Sequence, residues 1–421
     1  MDSFHIKGNN KFSGSVRVSG AKNAVLPLMT ACLIYPGKYK LNNVPNLADT
    51  RTMIKLLEII GCKTSYENET LHIDSNNCDN PNAPYELVKT MRASFYVLGP
   101  LISRFSYSKV SLPGGCAWGP RPVDFHIKAL KEMSVDVQLK GGNIVAKGKP
   151  KGAEITFSKK SVGATGNVVM AAARAQGITV INNSSLEPEI QSLCEFLQKI
   201  GVEIDGLGTD QIIIKGNDSI EIDNMEYDII PDRIEAGTFL IAAAAVGGDL
   251  KVLNCKPGHL EIIINLLKDA GCSINIGNNF VEISSPEKIK AVDMETLEYP
   301  GFPTDLQAQW MALMCIADGT STITENIYND RFTHIAELNR FGADISLQKN
   351  IATISGVDSL YGAPVMSTDI RASASLIIAA LMSSGESSIS RIYHIDRGYD
   401  KIEDKLSTCG MDIKRERNEL F

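Results

Sequence analysis

A chain of 421 residues is too long for one ordinary hydrophobic core, so two domains are expected. Its apolar fraction of 44% and charged fraction of 22% are those of a soluble globular protein. A net charge of -7 argues against general affinity for nucleic acid or an anionic membrane, and leaves room for a local basic pocket only.

Residues 1–8 show no basic stretch followed by an apolar core, so no signal peptide is predicted. The most apolar segment, residues 239–246, ends at Gly247-Gly248 and is too short to span a membrane. The nine cysteines form no CxxC pair, and their number is odd. They read as reduced thiols of a cytoplasmic protein, most of them small buried hydrophobes.

One unit recurs six times along the chain: an apolar helix, a helix-ending residue, a short alternating strand, a turn and a second strand. The helix ends fall at residues 57–62, 130–135, 197–202, 267–272, 338–343 and 406–411. The stop residues are Gly61, Ser134, Gly201, Gly271, Gly342 and Gly410. Glycine ends helices in the left-handed conformation, so Ser134 carries a small cost there. The second strand is clear at residues 211–215 and 280–284. A further helix precedes each unit, at residues 22–32, 92–101, 162–173, 233–245, 305–316 and 371–381. These are apolar on nearly all sides, which predicts burial.

Each repeat is therefore expected to be strand–helix–strand–helix–strand–strand, in an α/β protein. Three repeats close around their buried helices as one domain, with the sheets outside. The last repeat lacks a clear final strand, which residues 4–7 can supply. The expected domains are residues 22–230, and residues 1–21 with 231–421.

The starts of the buried helices carry Lys22-Asn23, Arg92, Ser161 with Gly163, Asp232-Arg233, Thr304-Asp305, and Asp369 with Arg371. Helix N-termini are partially positive and present free N–H groups. Equivalent repeats would put these starts at one end of each domain, and facing domains would form a cleft for a multiply anionic ligand. Asp, Ser and Thr at such positions also serve as ordinary N-caps, a role open to Asp232 and Asp369. Lys22, Arg92, Arg233 and Arg371 are harder to explain as caps, because the helix dipole disfavours cations there. Among other candidates, Arg331 reads as a surface partner of Asp330, Lys160 as a solvated neighbour of Lys159, and His394 as a residue orienting the turn before Arg397.

The loop Leu112-Pro113-Gly114-Gly115-Cys116-Ala117-Trp118-Gly119-Pro120-Arg121-Pro122-Val123-Asp124 presents one thiol with a guanidinium nearby. Glycines allow such a loop to approach a ligand or move, and the arginine favours thiolate character at Cys116. No protease-like or metal-ligand spacing accompanies it, so no metal site is expected.

That loop, Ser19-Gly20-Ala21-Lys22-Asn23-Ala24, Thr90-Met91-Arg92-Ala93-Ser94 and Ser161-Val162-Gly163-Ala164-Thr165 form an ordered set. Pro231-Asp232-Arg233-Ile234-Glu235, Phe302-Pro303-Thr304-Asp305, Thr368-Asp369-Ile370-Arg371-Ala372-Ser373 and His394-Ile395-Asp396-Arg397-Gly398-Tyr399 continue it. The set resembles the UDP-N-acetylglucosamine 1-carboxyvinyltransferase family of EPSP synthase-like enolpyruvyl transferases, from Phe4 to the last helix.

The resemblance implies a two-domain inside-out α/β barrel of six βαβαββ repeats with its active site in the interdomain cleft. It implies phosphoenolpyruvate and UDP-N-acetylglucosamine as partners, no cofactor, no nucleic acid or membrane, and a monomer or weak oligomer. By the same resemblance Cys116 is the acid and can bond the enolpyruvyl carbon. Asp305 is the base, and Lys22, Arg121 and Arg397 are the cations on phosphoenolpyruvate, supported by Arg92 and Arg371. Asn23, Arg121, Pro122, Val123, Asp124, Phe125, Lys159, Ser161, Val162, Gly163, Asp305 and Ile327 match positions that hold the UDP-sugar, with Asp369 a further candidate. Trp118, Pro120 and Gly166 depart from the commonest pattern without removing a catalytic group. Two rivals remain: the related 3-phosphoshikimate 1-carboxyvinyltransferase, and a non-catalytic UDP-sugar-binding regulatory paralogue. A thiol-redox sensor built on Cys116 ranks last.

Overall fold

A computed structural model describes residues 2–112 and 123–417. Cys116, Arg121 and Pro122, with Trp118 and Pro120, lie outside the described residues.

Six helices are buried as their composition predicts: α1 (Lys22–Ala31), α2 (Leu98–Phe105), α3 (Val162–Ala172), α4 (Arg233–Val246), α5 (Gln307–Met314) and α6 (Ile370–Met382). In α4 every residue from Ile234 to Ala245 is buried. Side chains such as Phe239, Leu240 and Ile241 each contribute about 1.5–3 kcal/mol by leaving water. α1, α2 and α3 share one apolar core, and α4, α5 and α6 share another.

Two of these helices begin later than expected. Arg92–Val97 and Thr304–Leu306 are 3-10 turns that lead into α2 and α5. In α2 the reason is Pro100, which has no N–H to donate. Starting the α-helix at Leu98 puts Pro100 in the first turn, where no intrahelical bond is lost.

The strands of the described residues form six four-stranded sheets. In the sheet of Glu154–Thr156, Ile178–Asn182, Gln211–Lys215 and Glu203–Asp205, the first pair is parallel and the rest antiparallel. Ile212 and Ile214 point into the core, while Gln211 and Lys215 are exposed. Ser3–Lys7 lies between Glu386–Ser390 and Asp412–Glu416, antiparallel to both, and so completes the last repeat. Two strands pair away from the helix that follows them in the chain. Ser15–Arg17 precedes α1 in the chain yet pairs with Asp249–Leu253 behind α4, and Asn224–Asp228 precedes α4 yet pairs with Lys38–Asn42 behind α1.

The six helix-ending residues all have positive φ: Gly61 111°, Ser134 63°, Gly201 104°, Gly271 101°, Gly342 92° and Gly410 90°. The chain divides into two compact units, Gly20–Ile230 and Met1–Ser19 with Pro231–Phe421.

Candidate functional site

In the unit Gly20–Ile230, Lys22 opens α1 and is only 8% exposed. Its Nζ lies 2.8 Å from Oδ2 of Asp49, itself 4% exposed on the helix Ala48–Ile60. The protein therefore supplies a carboxylate to a cation that the sequence left without an explanation. Asn23, beside it, and Arg92, at the start of its 3-10 turn, are both exposed.

Ser161 is the N-cap of α3, its Oγ accepting from the Ala164 N–H at 3.3 Å. Val162 and Gly163 follow half-buried, and Lys159 is exposed. Lys160 is not simply solvated: it is half-buried and donates to the Ser184 carbonyl at 3.1 Å. Asp124 sits exposed in the first turn of the helix Asp124–Glu132, with Val123 before it and Phe125 edge-on to Phe157 at 6.1 Å.

His126 joins these pieces. Its ring meets Phe95 edge-on at 4.9 Å, its Nδ1 lies 3.0 Å from Asn167 Nδ2, and a Cβ at Gly163 would stand 3.4 Å from it. Burial first, and then the charge of Arg92, push its pKa down to about 3, so His126 is neutral and structural. It packs the turn after Arg92, the helix of Asp124 and Phe125, and the start of α3 against one another.

In the other unit Asp305, half-buried in the turn ahead of α5, accepts two guanidinium hydrogen bonds. Arg331 Nη1 donates to Oδ1 and Arg371 Nη2 to Oδ2, both at 3.0 Å. Burial alone would raise the Asp305 pKa, but the charges of Arg371 and Arg331 outweigh it and hold the carboxyl well below the usual carboxylate range. Arg331 corrects the sequence expectation: it is a half-buried partner of Asp305, not a surface partner of Asp330.

Asp232 and Asp369 are N-caps, of α4 and α6. Asp232 accepts from the Ile234 and Glu235 amides, Asp369 from those of Arg371 and Ala372. Arg371 is 4% exposed, and its guanidinium lies 5.5 Å from the centroid of the Tyr399 ring. Burial opposes its charge, and Asp305, Tyr399 and Asp232 restore it. Arg233 stacks over the Tyr299 ring at 5.3 Å. Lys22 and Arg371, both at helix starts, thus face carboxylates of the protein itself.

Arg397 ends the 3-10 turn Ile392–Arg397. The turn reaches α6 because the next residue has no side chain: a Cβ at Gly398 would lie 2.4 Å from Ile370 Cγ2 and 3.4 Å from Arg371 Nη1. His394, against Tyr393 at 4.2 Å, has its pKa lowered by burial and by Arg397. Ile327 is half-buried in the loop that follows the strand Thr320–Thr324. The described residues hold no group of three or more potential metal ligands. None of their helices is long and apolar enough to cross a membrane.

The EPSP synthase (3-phosphoshikimate 1-carboxyvinyltransferase) family model matches residues 6–406. The chain belongs to the EPSP synthase family. Within the family it is 51% identical to the UDP-N-acetylglucosamine 1-carboxyvinyltransferase of Geotalea daltonii, over 99% of each chain. It is 49% identical to the protein of that name from Chlorobaculum parvum, over 100% of each. The family fold is also that of the enolpyruvyl transferase NikO from Streptomyces tendae, with TM-score 0.89 at 22% identity over 98% of both chains. EPSP synthase from Acinetobacter baumannii shares it, with TM-score 0.77 at 18% identity over 99% of this chain and 100% of that one.

Proposed function

We propose that this chain transfers the enolpyruvyl group of phosphoenolpyruvate to the 3′-hydroxyl of UDP-N-acetylglucosamine and releases phosphate. That reaction is the first committed step of peptidoglycan synthesis, a cytoplasmic step of cell-wall biogenesis on which cell shape and division depend. The observation that carries the reading is near-half identity, over the full length, to chains bearing that enzyme's name. The clamped carboxylate and cations of the C-terminal unit support it.

The sugar hydroxyl oxygen bonds to C2 of phosphoenolpyruvate while C3 takes a proton. The ketal then loses phosphate from C2 and a proton from C3, which restores the double bond. Cys116 serves as acid, and its thiol is the nucleophile that attacks an epoxide carbon of fosfomycin and opens the ring. Lys22, Arg92, Arg121, Arg371 and Arg397 hold the carboxylate and phosphate. Asn23, residues 121–125, Lys159, residues 161–163, Asp305, Ile327 and Asp369 hold the sugar nucleotide.

The geometry gives Asp305 a condition for its role as base. With a guanidinium on each oxygen it is a very weak base. The anionic groups of phosphoenolpyruvate compete for Arg371 and Arg331, and each bond drawn away raises the basicity of Asp305. Base strength thus develops when the donor is bound, beside the hydroxyl that must lose its proton.

Product mass spectrometry tests the assignment, with phosphoenolpyruvate, UDP-N-acetylglucosamine and shikimate 3-phosphate supplied together. An enolpyruvyl UDP-sugar is expected; enolpyruvyl shikimate phosphate would overturn it.

A further inference from the structure

Three repeats follow their second strand with an asparagine in the left-handed conformation: Asn43 (φ 57°), Asn183 (φ 55°) and Asn254 (φ 56°). Each donates from Nδ2 to the carbonyl just past the first strand, that of Ile229 at 2.9 Å, Phe157 at 2.8 Å and Val18 at 2.8 Å. The asparagine is thus a stitch within its sheet. In the repeat of Asp305 the position after Thr320–Thr324 holds Glu325, and the residue past the first strand is Thr296. The polarity of the stitch is reversed: the Thr296 hydroxyl donates to Glu325 Oε1 at 2.8 Å.

Glu325 is fully buried, at 0% exposure, and does more than the asparagines do. Oε1 also accepts the amides of Ile327 and Tyr328, each at 2.9 Å. Oε2 accepts from the Thr304 hydroxyl at 2.9 Å. Thr304 Oγ1 in turn accepts from Arg331 Nη1 at 3.1 Å, the same nitrogen that donates to Asp305 Oδ1 at 3.0 Å. A single carboxylate therefore fixes the loop of Ile327 and, through Thr304, the guanidinium that orients Asp305.

We propose that Glu325 is a positioning residue for the transfer reaction, setting Asp305 through Thr304 and Arg331 while holding the Ile327 loop. The inference rests on the role of Asp305 given above. A carboxylate suits the task because it only accepts, and it keeps the Thr304 hydroxyl turned so that its lone pairs face Arg331. An amide at the same place would donate to Thr304 and reverse that orientation, leaving the Ile327 and Tyr328 bonds to the remaining oxygen.

The test is steady-state kinetics of Glu325→Gln, Glu325→Asn, Thr304→Val and Thr304→Ser, with melting temperatures as a check on folding. Glu325→Asn places here the residue of three sister repeats, and its melting temperature shows whether the fold holds. Glu325→Gln, Glu325→Asn and Thr304→Val are each expected to lower kcat on the order of tenfold. KM for phosphoenolpyruvate should stay within about threefold, and Thr304→Ser should retain turnover. The double variant Glu325→Gln/Thr304→Val should be no worse than its weaker parent, since both cut one path. Turnover within about twofold of wild type in both Glu325 variants, or additive losses in the double variant, would overturn the proposal. Full turnover in Asp305→Ala would instead overturn the role of Asp305.

Discussion

Arg371 donates from Nη2 to Oδ2 of Asp305 at 3.0 Å, tying the start of α6 to the turn ahead of α5 across 66 positions. The arginine side chain is 5% exposed and the aspartate side chain 26% exposed, so the pair is shielded from solvent. Breaking one side of such a pair costs more than the pair contributes, because the other charge stays in place. Arg371→Met should destabilise the chain in urea unfolding by less than the roughly 3–5 kcal/mol of an orphaned buried charge, because Arg331 still holds Asp305 Oδ1.

The same pair fixes a pH dependence. Opposed by burial but dominated by Arg371 and Arg331, the Asp305 pKa is depressed. A depressed carboxyl adds stability above its unfolded pKa of about 3.9 and loses it as pH falls through the folded value. The stability gap between wild type and Asp305→Asn should be flat from about pH 8 to about pH 5, and narrow only below about pH 4. A gap that narrowed already near neutrality would show that the arginines do not hold the carboxyl down.

Lys22 and Asp49 make the corresponding contact in the other unit, at 2.8 Å. Asp49→Asn removes the carboxylate that holds the Lys22 amine in place. KM for phosphoenolpyruvate should rise on the order of tenfold, with KM for the sugar nucleotide changed less than about threefold. Equal rises in both would point to general damage to the unit.

Ser134 occupies, at φ 63°, the position that glycine fills in the five other repeats. A side chain in the left-handed region costs about 1–2 kcal/mol, and glycine returns part of that through its freer unfolded chain. Ser134→Gly should therefore raise the melting temperature by about 1–3 °C, without touching activity.

The repeat architecture was legible because three signals agreed: helices apolar on all sides, a helix stop at a fixed place, and strands alternating with period two. The N-terminal strand Ser3–Lys7 was inferred for the same reason, as the one strand the last repeat lacked. The expected domain bounds put Ser15–Arg17 with the second domain and Asn224–Asp228 with the first, but the strand partners themselves were not legible. Each strand has the pattern of either sheet, and only tertiary pairing decides between them. At the candidate site, the motifs placed cations and carboxylates at helix starts but could not pair them. Arg331 has Asp330 next to it in sequence and Asp305 next to it in space. Asp49 lies on a helix whose pattern reads as ordinary amphipathic packing, and Glu325 stands in a strand end that sequence alone does not set apart from its sister asparagines. The delayed start of α2 could have been read from Pro100.

Cys116 carries the acid role in the proposed reaction. Cys116→Asp keeps an acidic group but removes the nucleophile, so the variant should resist inactivation by fosfomycin while retaining some turnover. Inactivation as fast as in the wild type would place the target elsewhere.

The most direct measurement is phosphate release from phosphoenolpyruvate, with and without UDP-N-acetylglucosamine, in the wild type and in Asp305→Ala. Release that requires the sugar nucleotide and collapses in the variant is the predicted result. No release from the wild type with both substrates present would contradict the transferase assignment itself.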